Sequence, residues 1–122
     1  MIRFSLLLLL LCSLKITVLA QDQANETSDQ ACINFVPSAI SPNGDGINDV
    51  FNIEMVCEVQ NYALRIYDPS RRLIATLARP GEAWNGSQEG QPAPEGYYSW
   101  QLTYESPSGE QVYRRGEVLV VR

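Results

Sequence analysis

The chain has 122 residues, enough for one domain, with 45% hydrophobic residues, 19% charged residues and a formal net charge of −5. It contains no His, which excludes a Ser-His-Asp triad and a Cys-His pair. Its acidic balance, without a basic stripe, excludes nucleic acid as a partner and opposes binding to anionic membrane surfaces.

Residues 1–20 have the three parts of a secretory signal. Arg3 supplies the positive start, Phe4 to Leu14 the apolar run, and Val18-Leu19-Ala20 the region before the cut. The apolar run is short for a bilayer span and Lys15 interrupts it, so export with cleavage after Ala20 is expected, and no membrane insertion afterwards. Cys12 suggests a lipoprotein alternative, but Leu11 is not the small residue that such a site prefers. Cleavage removes Arg3 and Lys15 and no acid, leaving seven Arg, no Lys and fourteen acids, a net charge of −7. Without Lys there is no Schiff-base nucleophile. Residues 21–31 are polar and read as a flexible leader to a domain at 32–122.

Ile33 to Val36 is the first expected strand, ended by Pro37. Next comes Ser41-Pro42-Asn43-Gly44-Asp45-Gly46-Ile47-Asn48-Asp49, a run of turn formers. Gly44 and Gly46 allow positive φ, and Asn43, Asp45, Asn48 and Asp49 can bond their own backbone. The structural reading is a tight self-bonded loop between strands. The alternative is a calcium loop using Asn43, Asp45, Asn48 and Asp49, but neither register completes the pattern. Counted from Ser41 the twelfth position is Asn52; counted from Asn43 it is Glu54, with Asn48 where the Gly belongs. No other cofactor is expected.

Val50 to Met55 alternates like a half-buried strand. Cys32 and Cys57 bracket the loop, and in an oxidising compartment a disulfide is the expectation, with two buried free thiols as the alternative. Tyr62, Leu64 and Ile66 face one way from the next strand; Asp68-Pro69-Ser70-Arg71 turns it, and Arg72 to Leu77 returns antiparallel. Arg79 to Gly96 reads as loop, with Trp84 plugging the end of a core or, alternatively, stacking on a sugar ring. Tyr98, Trp100, Leu102 and Tyr104 mark the clearest strand. Val112 to Val121 is the last, with Gly116 expected to form a bulge or bend. Its end, Val118, Leu119, Val120, Val121 and Arg122, is either buried in the sandwich or an edge open to a partner strand. There is no helix-period segment, and the fold expected is an all-β, immunoglobulin-like two-sheet sandwich of about seven strands.

Several of these stretches, in this order, resemble one family. Pro37 to Phe51, containing Pro42, Asn43, Gly44, Asp45, Gly46, Asn48 and Asp49, looks like the opening of the gliding-motility-associated C-terminal domain, the type B sorting domain of the type IX secretion system of Bacteroidota. Tyr62 to Asp68 is similar to its strand before a sharp turn. Trp84-Asn85-Gly86 resembles its Trp-Asp/Asn-Gly motif, and Pro94-Glu95-Gly96-Tyr97-Tyr98 its Pro-Asp-Gly-Thr-Tyr motif. A Val/Leu strand with a basic residue, here Val118 to Arg122, follows as in the family. One departure stands out: where the family has Asn-Arg-Trp-Gly, this chain has Asp68-Pro69-Ser70-Arg71, so the Trp is absent.

The resemblance implies a non-catalytic export address handled by the type IX machinery. It also implies an outer-membrane β-barrel of the PorP/SprF kind as partner, placing the domain at the cell surface or outer membrane, or releasing it. Two other readings of the sequence are a carbohydrate-binding or adhesin-type surface module using Trp84 or Tyr97, and a periplasmic structural subunit.

Overall fold

A computed structural model describes residues 32–122; the expected signal at 1–20, the leader at 21–31 and Cys12 lie outside the described residues. The described chain is all-β, as expected, with nine strands: β1 (Ile33–Phe35), β2 (Ala39–Ile40), β3 (Glu54–Met55), β4 (Gln60–Tyr67), β5 (Leu73–Leu77), β6 (Ser87–Gln88), β7 (Gln91–Pro92), β8 (Gly96–Glu105) and β9 (Gln111–Val120). Five of them form one sheet in the order β2-β9-β8-β4-β5, antiparallel except that β2 runs parallel to β9.

This sheet follows directly from the period-two pattern. Tyr62, Leu64 and Ile66 of β4, Tyr98, Trp100, Leu102 and Tyr104 of β8, and Val112, Val118 and Val120 of β9 all turn to one face and are buried. Register stacks them across the sheet: Leu64 opposes Leu102, Ile66 opposes Trp100, and Tyr98 opposes Val118. Cross-strand neighbours of this kind, aromatic on β-branched, are the stabilising unit of a sheet.

The apolar face is covered by a second, less regular layer. Here β1 pairs with β3, β6 pairs with β7, and Phe51 and Trp84 form an isolated antiparallel bridge. Phe51 N donates to the Trp84 carbonyl at 2.7 Å and Trp84 N to the Phe51 carbonyl at 2.9 Å. The Phe51 ring lies 6.1 Å from that of Trp100, and the Trp84 ring 5.3 Å from that of Tyr98, both tilted. These tilted contacts press the two layers into one core. Cys32 and Cys57 are disulfide-bonded with Cα atoms 4.9 Å apart, closing a segment of sequence separation 25 that contains the polar loop. Such a closure contributes roughly 3–4 kcal/mol in the chain-entropy account.

The structure departs from expectation in four places, the first being that the segment from Arg79 to Gly96, read as loop, contains the short antiparallel pair β6–β7. β2 carries too few residues to show a period, yet Ala39 and Ile40 pair with Leu119 and Val120. The alternating run Val50–Met55 supplies only the Phe51 bridge and β3, because Phe51 pairs with Trp84 rather than with a continuous strand.

Gly116 makes no bulge: the β8–β9 ladder runs unbroken from Gly96↔Val120 to Glu105↔Gln111. The glycine is needed because the Trp100 ring lies across it. A Cβ there would stand 2.6 Å from Trp100 Cζ2 and 2.8 Å from Cε2. Gly116→Ala is therefore expected to destabilise the domain by about 1–3 kcal/mol in urea denaturation through overpacking. A glycine replaced for backbone entropy alone would gain about 0.5–1 kcal/mol, so the sign of the change decides between the two accounts.

Candidate functional site

The polar loop between β2 and β3 is organised by one carboxylate. Asp49 Oδ1 accepts hydrogen bonds from the amides of Asn43 at 3.1 Å and Gly44 at 3.0 Å, and Oδ2 from Gly46 at 2.7 Å. Asn43 Oδ1 takes the Asp45 amide at 3.1 Å, and Asp45 Oδ1 the Ile47 amide at 2.8 Å, both two residues on. These are Asx-turns in series. Ser41 N donates to the Asn48 carbonyl at 2.7 Å, closing the loop at its neck. Gly44, Gly46 and Asn48 take φ of 78°, 81° and 53°. Asp49, Asp45 and Asn43 thus spend side-chain oxygens on backbone N–H groups. The Gly46 amide, ahead of those of Asn43 and Gly44, holds the Asp49 carboxyl below its ordinary value. Among the described residues no three His, Cys, Asp or Glu side chains gather as a metal site.

Residues far apart in sequence meet beside this loop. Trp84 is buried, with Nε1 donating to the Ser87 carbonyl at 2.9 Å, and Asn85 Oδ1 accepts from Ser87 N and Oγ at 3.2 and 2.6 Å. The turn leaves Gly86 buried at φ 75°, where a Cβ would come within 2.7 Å of Pro42 Cγ. Only glycine fits this position, both for φ and for the approach of the loop's proline.

The Gly86 carbonyl is doubly bonded, by Ala93 N at 2.9 Å and by Arg122 Nη2 at 2.8 Å. Arg122 Nε reaches the Ala93 carbonyl at 2.9 Å, and Arg122 N donates to Glu95 Oε1. A single guanidinium therefore fastens the end of β9 to the 84–96 segment with charge-assisted hydrogen bonds. Tyr98 OH donates to the Pro94 carbonyl at 2.6 Å, four residues upstream, the arrangement of a tyrosine corner in β-sandwiches. Burial raises the Tyr98 hydroxyl above its ordinary value; the charge of Asp68 adds to this and that of Arg122 opposes it.

The turn after β4 is held by Asp68. Its Oδ1 accepts from Arg72 N at 2.9 Å and its Oδ2 from Arg72 Nε at 3.1 Å. The Arg72 amide, then its side chain, keeps the Asp68 carboxyl below the usual range. Arg71 closes the turn at φ 68°.

The expected site residues thus fall into groups. Pro42, Gly86 and Arg122 share one pole with Trp84, Gly96 and Tyr98, since Gly96 opposes Val120 and Tyr98 contacts Trp84. Asn43 to Asp49 extend from Pro42 as the self-bonded loop. Cys32 and Cys57 tie the start of β1 to the chain after β3. Val118 and Val120 are buried, and Leu119 and Val120 are paired on both sides, by β8 and β2. The unpaired edge of β9 lies earlier, along Gln111–Glu117. Trp84, 4% exposed, presents no ring face to solvent, whereas Tyr97 is 61% exposed. Sequence reasoning missed Ala93, which no spacing or residue type marks, and gave Glu95 only as a motif position, without its part in receiving the Arg122 amide.

A family model described as the CHU_C type IX secretion signal domain matches residues 34–120. No curated protein matches the chain.

Asp49 and Asp68 both have folded-state pKa values below their ordinary ones, so the folded chain binds fewer protons than the unfolded chain at mildly acid pH. Their stabilisation is present in full above the ordinary carboxylate value. It is lost as pH falls below about 4 through the folded-state values. Thermal unfolding followed between pH 7 and pH 2.5 is expected to show this decline, and Asp49→Asn, which lowers the melting temperature at pH 7, is expected to flatten it.

Proposed function

The chain belongs to the type IX secretion signal domain family, and from that premise we propose that it is a non-catalytic cell-surface subunit docked on an outer-membrane β-barrel of the PorP/SprF kind. Membership implies export to the cell surface or outer membrane. What supports the docking reading is the family match. The family match runs over residues 34–120, and every strand except the first residue of β1 lies inside it.

The chemistry of the pole agrees with a binding role rather than a reaction. Its carboxylates are committed: Asp49 to three amides, Asp68 to Arg72, and Glu95 to the Arg122 amide. A carboxylate held this way is a scaffold group, not an acid–base catalyst poised near neutrality. The pole builds a rigid end to the domain, as recognition by a large partner requires.

The loop is closed by its own amides, so it needs no calcium. Adding calcium, and then a chelator, is expected to leave the melting temperature where it was; a large chelator-reversible rise lost in Asp45→Ala would assign the loop to a metal.

Docking is tested by purification from native membranes with an affinity tag in the 21–31 segment, the bound proteins being identified by mass spectrometry. One outer-membrane β-barrel in near-stoichiometric yield is expected. Recovery of the domain alone, from the medium, would contradict docking while leaving the family assignment intact.

A further inference from the structure

The five-stranded sheet has a second face, turned away from the core. On it β4, β8 and β9 place Arg65, Tyr67, Tyr97, Gln101, Tyr113 and Arg115, all half-buried or exposed. Register aligns Arg65 with Gln101 and Gln101 with Arg115, so two guanidinium groups lie on one row across three strands. Arg71, from the turn after β4, joins Arg115 at a cleft of about 730 Å³ that Tyr67, Ser99, Gln101 and Glu117 also line.

The charges of this face are unusual for the chain. Seven arginines fall within the described residues. Arg72 and Arg79 are in salt bridges, Arg114 bonds the Tyr113 carbonyl, and Arg122 bonds the pole. The guanidinium groups of Arg65, Arg71 and Arg115 engage no partner among the described residues; Arg71 and Arg115 line the one cleft, and Arg65 lies on the same face, in register with Gln101. In a chain with more acids than bases, the free positive charge is gathered on a single face.

Arg71 strengthens the point. It sits at φ 68°, where a residue with a Cβ rarely goes and glycine would serve the backbone better. What the arginine supplies there is a cation at the cleft. Tyr and Arg are also the residues that concentrate at protein interfaces, and Tyr97 and Tyr113 are 61% and 49% exposed on this face.

We propose that this outer sheet face is the docking surface, and that its occupant is an acidic protein surface. Arg65, Arg71 and Arg115 take carboxylates of the partner as planar forks, and Tyr97 and Tyr113 pack around those contacts. An anionic bilayer does not suit the same face, because an extended charged plane also meets the net-negative remainder of the domain, whereas an acidic protein patch of matching size meets the arginines alone. The proposal rests on the docking reading above and adds to it the surface used and the charge of the partner.

The test has two arms on the tagged chain in native membranes. In the first, a photo-crosslinking residue replaces Gln101 or Tyr113 on the outer face, or Phe35 or Val56 in the second layer. Crosslinks from Gln101 and Tyr113 into Asp- or Glu-containing peptides of the captured barrel are expected, with none from Phe35 or Val56. In the second, R65E/R115E is expected to reduce barrel capture at least tenfold at unchanged melting temperature, and R65Q/R115Q to reduce it less. If the wild-type chain captures the barrel but crosslinks only from Phe35 or Val56, or if folded R65E/R115E captures it fully, the surface assignment fails and docking stands. Crosslinks from Gln101 into lipid also overturn it. Failure of the wild-type chain to capture any barrel removes the docking reading and this inference with it.

Discussion

Two backbone hydrogen bonds between Phe51 and Trp84 hold together a layer that has few strands of its own. The main sheet offers a continuous apolar face, and exposing it would forfeit the burial that drives folding. Its cover comes from β1 and β3, Phe51 and Ile53, and the segment around Trp84 and Ala93. Little regular ladder links these pieces, so their buried backbone groups need partners one at a time. The Phe51–Trp84 bridge joins the half before the main sheet to the half within it, and both side chains then anchor on β8 through Trp100 and Tyr98.

The same need for individual partners explains the pole. An unpaired buried carbonyl costs about 1–3 kcal/mol. The Ala93 carbonyl is met by the Arg122 guanidinium, which also adds a second hydrogen bond to the Gly86 carbonyl already held by Ala93 N, while the Arg122 amide meets Glu95. The loop solves the same problem from outside the core, with Asp49 gathering the amides of Asn43, Gly44 and Gly46 within its tight turns. Pro42 against Gly86 makes the two solutions contiguous. The motifs that mark the family are therefore parts of one piece of architecture, and the free arginines lie elsewhere, on the outer sheet face.

Much of this was legible in the sequence because it repeats. The alternation of Tyr98 to Tyr104 and of Tyr62 to Ile66 marks strands and their inward faces, and the turn at Asp68 to Arg71 falls where proline and polar residues cluster. Cys32 and Cys57, which bracket the polar loop, are disulfide-bonded as expected. What was not legible lacks a period or a local signal. β2 is too short to alternate, and its parallel pairing with β9 joins residues about eighty positions apart, which no local signal marks. Gly116 looks like a backbone device, but its reason is the Trp100 ring on the neighbouring strand, which only register reveals. That Asp49 rather than Asp45 gathers the amides, and that Arg122 reaches back to Gly86, depend on side-chain reach in three dimensions.

The loop, the Trp84 segment and Arg122 form one cooperative unit rather than three separate motifs. Hydrogen–deuterium exchange of Arg122→Ala against the wild-type chain tests it most directly. The account predicts faster exchange together at Ala93, Trp84 and Phe51 and at the loop amides Gly44 and Gly46, while Leu64 and Leu102 in the main sheet keep their protection. Faster exchange confined to Ala93, with the loop and the Phe51–Trp84 bridge unchanged, would contradict it.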